Sequence, residues 1–220
     1  MRKLANTVLV LAPHTDDGEL GCGGTIARSV EEGHAVYYVA FSTARTSVRP
    51  EYLENILEIE VRKATKVLGI KEDHLILFDF PVRHFPQHRQ AILEELIKLR
   101  NELNPHLVFV PSLNDIHQDH QVVAQEGLRA FKRHTILGYE EPWNNIVFET
   151  RCFIPLEEHH VRKKVEALRC YASQSHRSYL DEEFIWSLAR TRGTQIEGGY
   201  AEAFEVLRWV FRKGDDIAIP

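Results

Sequence analysis

The chain has 220 residues, 44% of them hydrophobic, 27% charged and 10% aromatic, which suits one sizeable α/β domain with its own core and is too short for two. A formal net charge of −5 offers no basic excess to displace phosphate counterions, which argues against a general nucleic-acid binder. No apolar run approaches the roughly 18 residues of a membrane helix. In chain order, residues 7–12 (TVLVLA) read as a buried strand, 23–32 as a helix and 35–42 (AVYYVAFS) as a second strand. Residues 51–68 carry Ile56, Ile59, Ala64, Val67 and Leu68 at helical spacing, and Gly69 closes that helix. A third strand over 74–80, a helix over 87–103, a fourth strand over 107–110 and a helix over 121–131 follow.

Alternation of strands and helices implies right-handed crossovers and a mostly parallel sheet covered on both faces. The expected fold is therefore an α/β, Rossmann-like three-layer sandwich. Beyond residue 140 the pattern is less regular: a strand over 146–154, helices over 157–171 and 181–191, and a last run over 204–210 after Gly198 and Gly199. With no repeat or linker, residues 1–220 read as one domain, a core over 1–140 with a C-terminal extension over 141–220 packed on it. Cys22, Cys152 and Cys170 are odd in number and far apart, which suits free thiols in a reducing compartment. The apolar run near the N-terminus is too short for a signal peptide, so a cytoplasmic location is expected.

Two polar segments carry the chemistry. One follows the first strand, Pro13-His14-Thr15-Asp16-Asp17-Gly18-Glu19; the other follows the fourth, Asn114-Asp115-Ile116-His117-Gln118-Asp119-His120. Loops at the carboxyl ends of parallel strands line the ligand crevice, so the two segments are expected to converge. Imidazole and carboxylate are good zinc ligands, and a catalytic zinc keeps one position open for water, whose proton a second, non-ligating carboxylate takes. Adjacent Asp16 and Asp17 suit that division of labour. The competing reading is structural: Asp-Asp-Gly is a common turn, either aspartate could cap the following helix, and an isolated His-x-x-His is usually without function.

These residues resemble the Pro-His-Pro-Asp-Asp-Glu signature with its Gly-x-Gly-Gly-Thr tail, and the His-x-Asp-His motif, of the PIG-L/LmbE-like de-N-acetylases. Weaker likeness runs through Ala64–Gly69 and Tyr200-Ala201-Glu202-Ala203-Phe204. The resemblance implies zinc on His14, Asp17 and His120, with Asp16 as the base that activates water. It gives His117 the oxyanion and the leaving amine, and Asp119 the orientation of a histidine. It implies hydrolysis of the acetyl group of an N-acetylglucosamine-type sugar or small glycoconjugate, and a homo-oligomer. Iron(II) or another divalent ion suits the same residues, because selectivity at such sites depends on metal supply as well as geometry. Three departures stand out: Thr15 for the usual proline, Gly18 for the glutamate that often follows the aspartates, and Val82 where members often have aspartate. The last bears on the substrate pocket.

Arg45 and Arg49, after the second strand, and Tyr200, braced by Glu202, are candidate substrate contacts, each against a reading as an ordinary surface or packing residue. Arg83, His84 and His88 are weaker rim candidates. The run 157–164, with His159 and His160, reads as an exposed face, and Cys22 as a small packed residue. Three other functions compete: a metal hydrolase acting on another N-acyl or amide bond, a nucleotide-binding module suggested by Gly21, Gly23 and Gly24, and a non-catalytic metal scaffold. The glycine spacing departs from the dinucleotide fingerprint, and a scaffold has no use for Asp16 or His117.

Overall fold

A computed structural model describes residues 6–211. Among them seven strands, β1 (Thr7–Ala12), β2 (Ala35–Ala40), β3 (Leu75–Leu77), β4 (Leu107–Pro111), β5 (Thr135–Tyr139), β6 (Cys152–Leu156) and β7 (Tyr200–Arg208), form one sheet in the order β3-β2-β1-β4-β5-β7-β6. Strands β1 to β5 run parallel, and β7 lies antiparallel to both β5 and β6. The helices are α1 (Asp17–Glu31), α2 (Ile56–Val67), α3 (Phe85–Leu103), α4 (Gln118–Ala130), α5 (Glu158–Leu168) and α6 (Glu182–Thr194).

The three layers follow from the period of a strand, whose side chains alternate between faces. In β1, Val8, Val10 and Ala12 enter the core beneath α1, α2 and the end of α5, with Ile26, Val61 and Tyr171. Leu9 and Leu11 face the other way, onto Phe85, Ile92, Leu96 and Val123 of α3 and α4. A strand covered on both faces reads as a continuous apolar run, as TVLVLA does. Truncating Leu9, which is fully buried, to alanine is expected to cost about 2–5 kcal/mol.

The sheet order reverses direction between β1 and β4, the position where open α/β sheets form their crevice. The chain then departs from the sequence reading in its second half. β5 was not expected: it is five residues long, and Gly138 interrupts it where the Glu205 side chain packs close. The strand expected over 146–154 lies instead at Cys152–Leu156, while Ile146 and Val147 are exposed in the preceding loop. Antiparallel pairing to β7, Cys152 with Phe204 through Leu156 with Tyr200, sets that register. Pro155 is tolerated because β6 is an edge strand. β7 begins at Tyr200, four residues before the expected run. Helix α2 starts at Ile56, later than read, and Gly69 closes it at φ 86° as expected. No helix among the described residues is long and apolar enough to cross a membrane.

Candidate active site

Because β1 and β4 pair side by side, their exit loops meet at one point of the crevice. His14 Nδ1 lies 3.2 Å from Asp17 Oδ2, His120 Nε2 3.3 Å from the same oxygen, and the two ring nitrogens 3.3 Å apart. For metal–ligand bonds of about 2.0–2.1 Å, the edge of a tetrahedron is about 3.3 Å, so the three atoms form one face of a zinc-sized tetrahedron.

Hydrogen bonds on the far ring nitrogens select the tautomers. His14 Nε2 meets Asp119 Oδ2 at 3.0 Å, and His120 Nδ1 meets Asp115 Oδ2 at 2.9 Å. A carboxylate only accepts, so each far nitrogen keeps its proton, and when the ring is neutral it is the near nitrogen that offers a lone pair. Asp119 is itself held by the backbone N–H groups of Arg83 and Phe85 at 2.5 and 3.2 Å. Burial alone would raise Asp119, but these donors and His14 hold its carboxyl below the usual range.

Five carboxyl groups, Asp16, Asp17, Asp115, Asp119 and Glu141, crowd three histidines here, and burial with Asp17 close by pushes Glu141 well up, a concentration of negative charge that a cation would relieve. Burial would lower His14, yet the Asp17 charge and the hydrogen bonds His14 donates to Asp119 and Asp17 raise it to about 9. His120 is likewise raised against its burial by Asp17 and Glu141. Burial pushes Asp17 up, but His120 and His14 outweigh it and hold Asp17 well below the carboxylate range. Without a metal, protons on the histidines supply the positive charge. The donor set thus fits a divalent ion such as zinc; His14, His117 and His120 also offer nitrogens close enough to share one.

Asp16 occupies the N-cap position of α1 but makes no side-chain cap bond, so the capping role weighed from sequence is not what its carboxylate does. It faces the cleft, and burial together with the adjacent Asp17 raises it to about 6. His117 is the N-cap of α4, and its Nδ1 accepts the Asp119 N–H at 3.2 Å. The neutral ring therefore presents Nε2–H as a donor. Burial and the neighbouring His120 and His14 lower His117 to about 4, which keeps it neutral near pH 7.

The loop carrying Asp16 and Asp17 rests on a buried cluster outside both motifs. The Tyr38 and Tyr171 hydroxyls lie 2.9 and 2.6 Å from the Thr15 carbonyl, each with one proton to share between it and Glu19, and the Gly18 N–H donates to Tyr38 Oη at 3.0 Å. Glu19 contacts both hydroxyls, Tyr171 at 3.0 Å, and burial raises its carboxyl to about 8. Helix α1 then breaks at Cys22, which is non-helical at φ −146°. The freed Gly24 and Thr25 N–H groups donate to Glu202 at 3.0 and 2.7 Å, while Lys164 Nζ reaches Leu20 O and Glu202. Glu202 therefore caps the restarted helix and does not brace Tyr200. A Cβ on Gly21 would lie 2.3 Å from Tyr139, one on Gly23 2.9 Å from Lys164 and one on Gly24 2.4 Å from Leu156. The space over these glycines is filled by protein, which leaves none for a pyrophosphate and disfavours the nucleotide reading.

The cleft above this floor has a volume of about 390 Å³. Its walls include Arg83, Trp143, Asn144, Gln174, Arg177 and Tyr179. Trp143 stacks on Tyr179 with ring centroids 4.4 Å apart. The structure brings His14, Asp16, Asp17, His117, Asp119 and His120 together but not the sequence-derived substrate contacts. Arg45 faces Glu58 and Asp79, Arg49 faces Glu51, and Tyr200 packs on Trp186 beneath Arg190. His84 is the N-cap of α3 and His88 lies against Phe80. The run 157–164 is not wholly exposed: His160, Val161 and Lys164 are buried, and His159 and His160 both bond Glu31. Cys22 is buried and its thiol pushed up by that burial.

Asp115 lies within the second polar segment, yet nothing in its spacing marks an orienting carboxylate. Glu141, fully buried beside His120 with Oε1 lacking a protein partner, follows the strand that was not foreseen.

Residues 9–131 match the model of one family, PIG-L, described as GlcNAc-PI de-N-acetylase. The chain is 29% identical over 172 residues to an uncharacterized deacetylase, YaiS, of Escherichia coli (strain K12), covering 76% of this chain and 90% of that protein. It is 28% identical to a probable N-acetyl-alpha-D-glucosaminyl L-malate deacetylase 2 of Bacillus anthracis, covering 76% and 80%. The fold superposes with a TM-score of 0.77 on N,N'-diacetylchitobiose deacetylase from Pyrococcus horikoshii, at 22% identity over 93% of this chain and 85% of that one.

Proposed function

The chain belongs to the PIG-L, or GlcNAc-PI de-N-acetylase, family, and from that premise we propose that it is a zinc-dependent hydrolase removing the acetyl group from an N-acetylglucosamine-type sugar. The carrying observation is the triangle of ligand atoms on His14, Asp17 and His120, with an uncapped Asp16 beside it. Zinc, when bound, supplies Lewis acidity, polarising a carbonyl and lowering the pKa of water to about 7.

The chain's own groups do the rest. Asp16, raised to about 6 by burial and Asp17, takes one proton from the attacking water and returns it to the departing nitrogen. The water oxygen bonds the acetyl carbon, the C–N bond breaks, the amine leaves with the returned proton, and the acetic acid formed ionises to acetate, its proton passing to solvent. His117 presents Nε2–H to the carbonyl oxygen as negative charge develops there; its locked Nδ1 suits donation better than acid catalysis. Asp119 and Asp115 hold the His14 and His120 rings in ligand geometry.

The Trp143–Tyr179 stack offers an apolar wall to a pyranose, and Arg83 and Arg177 offer donors to its substituents. Arg45 and Arg49 flank Ser47, which lines the cleft, and in this reading they reach only an extended aglycone. Tyr200 keeps a packing role. The same reading takes the chain as one functional unit, places it in the cytoplasm with Cys22, Cys152 and Cys170 free, and expects a homo-oligomer.

The test is metal content and acetate release on a panel of N-acetylglucosamine derivatives, for the zinc-loaded protein and for Asp16→Ala. One metal per chain in both, with acetate from the parent alone, supports the reading. No metal in the parent after loading defeats it.

A further inference from the structure

Glu19 is a buried carboxyl for which the proposed chemistry has no use. It is fully excluded from solvent, and a buried carboxyl persists only where hydrogen bonds repay its desolvation. Its two oxygens meet two different hydroxyls, Tyr38 on β2 and Tyr171 just after α5. Both hydroxyls also reach the same backbone: each lies within hydrogen-bond distance of the Thr15 carbonyl and shares its one proton between that oxygen and Glu19, and Tyr38 accepts the Gly18 N–H. Those two peptide groups bracket Asp16 and Asp17. Tyr38 and Tyr171 lie far apart in sequence, and Glu19 is a side chain that ties their hydroxyls together over the Thr15 carbonyl.

We propose that Glu19 is a positioning residue which, through the Tyr38 and Tyr171 hydroxyls, clamps the Thr15–Gly18 backbone and so sets where Asp16 and Asp17 stand. The clamp acts on both functions of the loop. Asp17 contributes one corner of the ligand triangle and accepts the His14 N–H at 2.7 Å, so a slack loop loosens two of the three ligands. Asp16 would lose its alignment as base. The lever is short: Glu19 is two residues from Asp17, and the Leu20 N–H donates to the Asp16 carbonyl at 3.0 Å. The inference rests on the de-N-acetylase reading for its kinetic part alone.

The experiment compares the parent protein, Glu19→Gln and Glu19→Leu in thermal melts, in zinc affinity by chelator competition, and in kcat and KM after zinc loading. Glutamine keeps the length and still offers a donor and an acceptor to the two hydroxyls; leucine fills the space without them. Glu19→Leu is expected to weaken zinc about 10–100-fold and to lower kcat about tenfold or more, the range seen when groups supporting metal ligands are removed. KM should stay within about threefold, and Glu19→Gln should recover most of both losses.

A folded Glu19→Leu protein with parental zinc affinity and kcat overturns the proposal, as does Glu19→Gln being equally damaged. Should Glu19→Leu fail to fold, Tyr171→Phe, which removes one hydroxyl from the Thr15 carbonyl, is read for zinc affinity instead; severalfold weakening supports the clamp and no change overturns it. A parent that binds zinc yet releases no acetate sinks the enzymatic reading, and the zinc affinities still decide this one.

Discussion

The floor and the walls of the cleft are built differently. On the floor, the carboxylates of Asp17, Asp115 and Asp119 all accept hydrogen bonds, and Asp119 and His120 are buried. On the walls, Arg83 and Arg177 are exposed, and the segments bearing Ser47, Gln174 and Tyr179 are short 3-10 turns and loops. A reaction needs its groups held to within about half an ångström, which takes a supporting shell. Substrate choice needs only complementary surface, which loops supply and evolution varies. Floor substitutions should therefore act on metal and kcat, and wall substitutions on KM.

The largest effect is expected from His120→Ala. It removes one corner of the triangle and leaves Asp115 and Glu141 without the imidazole they face. Bound zinc should fall to near zero by elemental analysis, and acetate release should vanish with it. Asp16→Asn comes next: metal retained, kcat lowered about 10²–10⁴-fold, the usual contribution of a positioned base. Loss of the metal in Asp16→Asn would place Asp16 among the ligands and erase the division between the two aspartates.

A subtler effect is one of pH. His14 is raised from 6.5 to about 9 although burial opposes it, because Asp17 and Asp119 face its two nitrogens. The metal-free protein therefore carries a proton there at pH 7, and zinc must displace it. Calorimetry in buffers of different ionisation enthalpy should show proton release on loading, with zinc affinity rising up to about pH 9. The sign for stability follows from the raised value: the favourable contribution is complete below 6.5 and is lost as pH rises through about 9. Thermal melts of the metal-free protein should decline across that window, and those of the zinc-loaded protein should lack this decline.

The same contrast separates what the sequence discloses from what it conceals. The proposed ligand and base residues were legible because each set is contiguous and follows a strand that any period-based reading finds; adjacency in the sheet does the rest. Their supports were not. Glu19, Tyr38 and Tyr171 come from three elements, and only the fold shows that their polar ends meet at Thr15. Glu141 stood behind β5, whose five residues include Gly138 and show no clear alternation. In the second half, Ile146 and Val147 looked like strand residues, but propensity gave way to the pairing of 152–156 with β7. The arginines after β2 were reasonable substrate contacts by position. Acidic neighbours on α2, at the β3 exit and at Glu51 turn them aside, a detail no spacing reveals.

The smallest effect tests the walls. Arg177 lines the cleft from an exposed position, and its charge reaches Tyr179 and His176. Arg177→Ala removes a donor without touching the floor, so zinc content, melting temperature and kcat should be unchanged. A hydrogen bond from a charged group contributes about 1.5–3 kcal/mol when desolvated and less when exposed. KM for a substrate bearing an accepting group should therefore rise only several-fold, and less for plain N-acetylglucosamine. A fall in kcat at constant KM would mean that this wall reaches the transition state, and the separation between a catalytic floor and a selective wall would not hold on that side of the cleft.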